Sequence, residues 1–590
     1  MEPLSKPALL TPRAIAAGLG LGSVLAVSNV YVVLKTGWSL GVALSASILA
    51  FSVFRLLALL GLTRRPLSPG ENALTGSVAS AAAFMTGGGN MAALPALLLL
   101  TGARPACFWM FLWFLSLAAL GVLSAIPLKR SIIDRDALPF PSSVATAETI
   151  RVMHSGATEK GEARGGRILG LTSLGAGAAT LFRDLPAALG PALFPGKLGL
   201  PFSFAGVPAA RLSLAFELSP VLLGGGALMG FRTGCSMLLG ALIGYGWLAP
   251  RWIASGVITK VDFKSISTWT LWPGAALLVT SGVLSFALGG HSFGRSLLDL
   301  GTVFRRGRQP TPEAERTDAP RSWFVAGFLL LSPVVVVLMR QLFGVPVWAG
   351  VLSLLLALPM AVVAARVNGE TDISPTKALG PLTQLIFGAL LPGHLTANLM
   401  SANVTGGVGL HAADLLADVK MGNRLGVTAR AQVVAQLFGV VAGALVVVPA
   451  FGLLVADPGV LGSERFPAPA VMVWAGVSQA LAKGLSALPS DVRTITAAFG
   501  LAGALIAVVE RFAPESVRRV VPSAAGLGIA LVMPASSSIT MFAGATLALL
   551  ARRFAPEQAR RGLVPAASGL IVGESLVGVG LALLRSLGFG

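Results

Sequence analysis

Apolar positions along this chain gather in long blocks separated by short polar connections. Runs of roughly 20 apolar residues, enough to cross about 30 Å of hydrocarbon, recur at Ala14 to Leu34, Gly41 to Leu62, Phe108 to Pro127, Trp323 to Met339, Val347 to Ala365, Ala431 to Val455 and Gly526 to Leu550. Counting such runs end to end gives about 14 to 16 spans. The pattern predicts an all-α polytopic membrane protein with no long stretch left for a separate soluble domain.

Several segments break this pattern. In SPGENALTGSVASAAAFMTGGG (68 to 89) a glutamate, an asparagine and a run of small residues stand together, and GGNMAALPALLLL (88 to 100) has only 13 residues, too few to cross. Residues 69 to 100 therefore read as a broken helix or a re-entrant hairpin, tolerable where protein or a wet cavity satisfies the freed backbone groups. A weak internal repeat has an offset of 304 residues: ALMGFRTGCSMLLGAL (227 to 242) lies over LVMPASSSITMFAGAT (531 to 546), matching Met229 to Met533, Met237 to Met541, Gly240 to Gly544 and Ala241 to Ala545. Half-chain repeats are common in secondary transporters. The expected division is two transmembrane halves, 1–303 and 322–590, joined by a basic cytoplasmic linker at 304–321.

Composition agrees with the span pattern. Hydrophobic residues make up 54% of the chain and charged ones 12%, against about a quarter in soluble domains, and mean hydropathy is +0.80. The net charge of +19 would suit a nucleic-acid binder in a soluble protein. Here the basic residues sit in short loops, at Arg64 and Arg65, at 305–308, at Arg552 and Arg553 and at Arg560 and Arg561, as positive-inside bias requires, and no nucleic-acid partner is expected. The short start MEPLSKPALLTPR reads as cytoplasmic rather than as a removed signal peptide. The 552–561 loop also reads as cytoplasmic, which is hard to reconcile with sixteen full crossings and implies that some segments enter without crossing. Cys107 and Cys235 read as small buried hydrophobes.

Within a membrane a carboxylate costs roughly 2.5–3.5 kcal/mol at a helix centre, so each needs a partner, a proton or a cavity. Candidates are Glu71, Glu148, Glu217, Glu370, Asp372, Asp414, Asp418 and Glu574. Glu71, Glu148 and Glu574, set among small residues, read as cavity-lining; Asp372 and Asp418 read as helix caps in the headgroup region. The stretch 394–414 carries Asn398, Ser401, Asn403, Thr405, His411 and Asp414, the makeup of a polar substrate wall, although a hydroxyl-rich packing face would look similar. His394 and His411 are too far apart to pair as metal ligands on a helix. The chain has neither G-x-x-x-x-G-K-[ST] nor H-E-x-x-H, so no cofactor, metal or enzymatic activity is expected.

PGENALTGSVASAAA (69–83) with LPALLLL (94–100), LPFPSSVATAETIR (138–151), FRTGCSMLLGALIGYG (231–246), VNGETDISPTKALGPLTQLIFGAL (367–390), NLMSANVTGGVGLHAADLLADVKMGNRLGVTARAQVVAQLFG (398–439) and PAASGLIVGESLVGV (565–579) together resemble the oligopeptide transporter family, which includes the yellow-stripe-like metal-chelate transporters. The blocks occur in family order over nearly the whole chain. The resemblance implies a duplicated transporter of about sixteen helices that takes up peptides or metal chelates with protons. Carried over, the family's motifs fall on Glu71 and Asn72, Ala145 to Glu148, Gly369 to Thr371, Asn403 to Thr405, Ala412 to Asp414, and Gly573 to Ser575. Ala73 stands where many relatives have a second asparagine, and FPSS (140–143) lacks the glycine-threonine of the family, so the substrate stays open.

The resulting expectation is proton-coupled uptake of small peptides by alternating access in the inner (cytoplasmic) membrane, with Glu71, Asn72, Glu148, Glu370, Asn398, Asn403, Thr405, Asp414 and Glu574 as substrate or proton sites. Import of metal-siderophore or metal-amino-acid chelates is the alternative, and a channel a remoter one. The partners expected are the substrate, protons, the lipid bilayer and a second copy in a homodimer.

Overall fold

A computed structural model of the protein describes residues 10–587, except 40–41, 62, 64, 66, 88, 155–158, 190–194, 205, 289–316, 372–375 and 487. Most of the basic linker, Arg64, His291 and Asp372 lie outside the described residues. The described part is almost wholly helical, and eight of its helices are long and apolar enough to cross a membrane. Two short antiparallel ribbons, Lys197–Gly199 with Ala215–Glu217 and Ser203–Phe204 with Val207–Pro208, are the strand pairs among the described residues. Cys107, expected to be buried, is exposed at the start of its helix.

The first helix, Pro12–Thr36, is capped by Thr11, starts on a proline and stops at Gly37 (φ 76°), the order of signals that favours both ends. The last, Pro556–Ser586, runs parallel to it: Ser28 donates to Ser575 at 2.9 Å, and further along Tyr31 lies against Gly578. Their starts share one end of the molecule with Arg13, Arg552, Arg553, Arg560 and Arg561, called here the Pro12 end.

Residues 69–101 form a broken helix that continues in one direction. Glu71 begins it beside Arg13. Along the helix Ala429–Leu454, Gly439 meets the Val78 carbonyl and Gly443 that of Ala82, then Leu94 and Leu98 share a cavity wall with Val448 and Phe451, and Arg104 reaches the Val455 carbonyl. Both chains advance together, so Pro69–Phe84 and Asn90–Thr101 form one interrupted crossing. The sixteen- and twelve-residue helices rise about 24 and 18 Å, enough between them for the hydrocarbon core. At the break Asn90 donates to the Met85 carbonyl at 2.8 Å, which satisfies a backbone group that helix geometry has released.

Gly526 to Leu550, which the sequence suggested was one span, is two helices, Ala524–Val532 and Ala535–Phe554. Met533 is extended (φ −101°, ψ 162°), and Pro534 has no N–H with which to continue the first helix. One offset of 304 earlier stand Pro220–Met229 and Phe231–Ala241, separated by Gly230 at φ 87°. Both helix starts and both breaks match under that offset.

The contacts between these two pairs are exchanged as well. Gly240 meets the Leu527 carbonyl and Gly544 that of Leu223. Arg232 donates to the Val521 carbonyl at 2.7 Å, and its counterpart Ser536 donates to Glu217, the counterpart of Val521, at 3.4 Å. A local two-fold axis therefore relates them. Phe231–Ala241, prolonged to Ala254, leads to Trp252, packed with Leu212 and Tyr245 at the end opposite Pro12, whereas Ala535–Phe554 leads to Arg552 and Arg553. The two hairpins thus enter from opposite ends, the arrangement of an inverted repeat.

Candidate functional site

The helix Leu395–Arg424 is polar yet buried along nearly its whole length. It lies among Cys107–Lys129, Val347–Thr371 and Thr376–Leu390, which shield it from lipid. Near its start Asn398 accepts hydrogen bonds from Gln384 at 3.1 Å and Ser478 at 2.6 Å. Asn403 accepts from the Trp113 indole at 2.9 Å and donates to Asn90 at 2.8 Å. Thr405 and Thr383 share a 2.7 Å bond. These residues are tied into packing contacts, and Asn403 fastens the central helix to the break of the 69–101 crossing.

One turn apart on the same helix, Asp414 and Asp418 face Gln436, whose amide donates to both, at 2.9 and 2.8 Å. Ser80 donates to Asp414 at 3.1 Å. Both aspartates are buried, and among the described residues neither has a cationic partner. They line a cavity of about 490 Å³ whose other polar walls are Ser45, Ser142, Ser143, Thr146, Asn368 and Ser568. The pocket thus joins the ATAE and FPSS blocks to the central helix. Asp418, expected at a headgroup cap, is instead fully enclosed, because the helix continues to Arg424 and the neighbouring helix covers it.

The remaining expected residues lie elsewhere. Glu71 closes a capping box with Ser68, accepts from Thr11 at 2.7 Å and is gripped by Arg13 through two nitrogens at 2.8 and 2.5 Å; it faces this cluster rather than the aspartate cavity. Asn72 is buried, with neither amide atom hydrogen-bonded. Glu148 is half-exposed and paired with Arg151 at 2.9 Å, with Arg424 at 3.9 Å. Glu370 is exposed, 4.0 Å from Arg366.

Glu574 occupies a different centre. Wholly buried, it accepts from Ser219, from the Val221 backbone N–H at 2.7 Å and from Arg183 at 3.2 Å. It ties the last helix to the entry of the 220–241 hairpin. Beside it a cavity of about 280 Å³ opens at the end opposite Pro12, with Tyr31, Arg183 and the buried 2.6 Å pair Lys35–Glu217 in its wall. The last helix lines both cavities, with Ser568 in one and Gly578 in the other, about 15 Å apart along its axis. Between those two positions Gly569 and Gly573 pack closely against Leu169 to Gly177 of the helix Glu159–Leu189.

Sequence reasoning placed Asp418 at a headgroup cap rather than in the cavity, and missed Gln436 and the cationic lining of the second cavity. The four-residue interval of Asp414 and Asp418, which puts both on one helix face, was the available signal for the first.

Broken helices, opposed hairpins and two polar cavities toward opposite ends are set in a polytopic membrane protein. A family model described as OPT oligopeptide transporter protein matches residues 9–585, and the chain belongs to that family: it is a membrane transporter, not an enzyme. It is 25% identical to a putative oligopeptide transporter of Saccharomyces cerevisiae, over 98% of this chain and 96% of the yeast protein. It is 26% identical to a probable metal-nicotianamine transporter of Oryza sativa subsp. japonica, over 96% and 90% of the two chains. With another probable metal-nicotianamine transporter, from Arabidopsis thaliana, identity is 23% over 82% and 76%.

Proposed function

We propose that this transporter takes up small peptides with protons by alternating access, using the Asp414–Asp418 cavity as its substrate chamber and the two aspartates as its proton site. The observation that carries this reading is the pair itself: two buried carboxylates bridged by one amide, with no cation beside them among the described residues. Carboxylates so placed repel one another, and a proton shared between them relieves that repulsion. A proton arriving or leaving changes the charge of the chamber wall by one unit, which links protonation to what the chamber can hold.

Two separate cavities toward opposite ends, each lined in part by the last helix, support alternation over a fixed pore. The hairpins related by a local two-fold favour two duplicated halves, 1–303 and 322–590, exchanging inward and outward arrangements. The arginines gathered at the Pro12 end favour a cytoplasmic position for that end in a cytoplasmic membrane. The names of the plant relatives favour a second reading, in which the solute is a metal chelate.

The test is uptake into proteoliposomes of labelled di- to pentapeptides and of labelled ferric chelate, with and without an inward proton gradient. Saturable, gradient-driven peptide uptake supports the first reading and gradient-driven chelate uptake the second. Uptake of either solute indifferent to the gradient removes the coupling.

A further inference from the structure

The cavity opposite the Pro12 end carries more positive charge than its own carboxylates balance. Its cations are Lys35, Arg183, Lys197, Arg465 and Arg585, and its acids are Asp184 and Glu217. Three cations have partners: Lys35 with Glu217 at 2.6 Å, Arg183 with Asp184 at 2.6 Å, and Lys197 with Glu464 at 2.8 Å. Arg465 and Arg585 have no carboxylate partner among the described residues, and both are exposed at the mouth. They come from distant parts of the chain: Arg465 from the connection before Pro469–Lys483, Arg585 from the last turn of the final helix. Two guanidinium groups converging on one cavity repel each other until an anion lies between them.

We propose that this cavity is a binding site for a solute carrying two or more carboxylates, held by Arg465, Arg585 and Lys197 towards the mouth and by Arg183 deeper in. The planar fork of arginine matches a carboxylate with two parallel hydrogen bonds. A volume of about 280 Å³ is near the lower limit for small-molecule sites, about 300 Å³, so the occupant is a compact solute. The site lies at the other end of the final helix from the aspartate chamber. Its inner wall is Arg183, which Glu574 holds against the hairpin entry at Ser219 and Val221. An anion drawing on Arg183 competes with Glu574 for the same guanidinium, so occupancy here bears on the contact that anchors the hairpin.

The site deepens the reading under Proposed function, but its binding is measured without transport. Citrate serves as the tricarboxylate probe and citramide, its neutral triamide, as control, by calorimetry on the full chain in phosphatidylcholine nanodiscs. Citrate binding that weakens with salt, absence of citramide binding, and at least tenfold weaker citrate binding in the R465Q/R585Q variant are expected. The R465K/R585K variant, which keeps the charge, retains measurable binding, and an unchanged unfolding temperature in both variants excludes a folding defect. No citrate binding to the wild type, or equal binding by the double glutamine variant, overturns the proposal. So does loss of citrate binding when phosphatidylglycerol is added, since the occupant is then a lipid headgroup. If citrate binds while uptake ignores the proton gradient, the coupling fails and the site stands; if gradient-driven uptake persists without citrate binding, the site alone fails.

Discussion

Gly544 meets the carbonyl oxygen of Leu223 where a side chain would begin, and Gly240 meets the carbonyl of Leu527 in the same way, at 2.6 Å from an added Cβ. Each hairpin therefore rests its second helix on the backbone of the other's first. Backbone cannot step aside as the end of a flexible side chain can. Gly544→Ala and Gly240→Ala are each expected to cost roughly 1–3 kcal/mol, the usual penalty of overpacking, and to stop transport. Gly580→Ala, on the final helix with nothing within 4 Å of its added Cβ, is the control and stays stable and active. Unfolding temperature in detergent and uptake in proteoliposomes give the comparison; a Gly544→Ala protein as stable and active as the control would show that the close approach is dispensable.

Asp414 and Asp418 act as a unit through Gln436, so their effects will not add. Asp414→Asn and Asp418→Asn are each expected to lower proton-driven uptake at least tenfold, and the double variant to be little worse than either single one. Asparagine keeps an oxygen for the Gln436 amide but cannot carry the proton. Counterflow, which exchanges labelled for unlabelled solute without net proton movement, is expected to survive in the double variant. Stimulation by a proton gradient that persists in it would remove the pair from the coupling mechanism.

The central helix was legible because its polarity is extreme for a membrane segment: Asn398, Asn403, Thr405 and Asp414 could only be buried against protein. Asp418 was not, since VKMGNR after it resembles a helix end, and only the covering helix with Gln436 shows it enclosed. Glu71 looked like a cavity residue because its ion partner, Arg13, lies 58 residues earlier, a separation at which sequence carries no pairing signal. The break at Pro534 was hidden for another reason. Proline also occurs inside continuous helices here, at Pro127, Pro273 and Pro333, so residue type alone does not mark a hairpin. The repeat at offset 304 carried that information, since Pro534 falls on Gly230, whose φ of 87° suits a turn.

Glu71→Gln separates a structural role from a coupling one. The side chain caps its helix and neutralises Arg13 at the Pro12 end. Its replacement is expected to cost roughly 1–3 kcal/mol from the weakened cap and lost charged hydrogen bonds, while uptake by the protein that remains folded keeps its dependence on pH. Arg13→Gln is expected to destabilise to a similar extent. An unfolding temperature equal to the wild type together with altered pH dependence would return Glu71 to the coupling site.

Glu574 accepts from four residues, through the Ser219 hydroxyl, the Val221 N–H, the Arg183 guanidinium and, at 3.5 Å, the Tyr31 hydroxyl, whereas Arg183 keeps Asp184 as a second partner. The two substitutions should therefore be unequal. Glu574→Gln loses the charge that these donors share and frees the hairpin entry; Arg183→Gln leaves Glu574 bound to Ser219, Val221 and Tyr31. The expected result is near-complete loss of transport in Glu574→Gln and a partial loss in Arg183→Gln. In a double-mutant cycle on unfolding free energy, the pair is expected to show a coupling of about 0.5–3 kcal/mol. Equal defects in the two single variants, or a coupling indistinguishable from zero, would mean that the hairpin is anchored elsewhere and that Glu574 merely fills its place in the last helix.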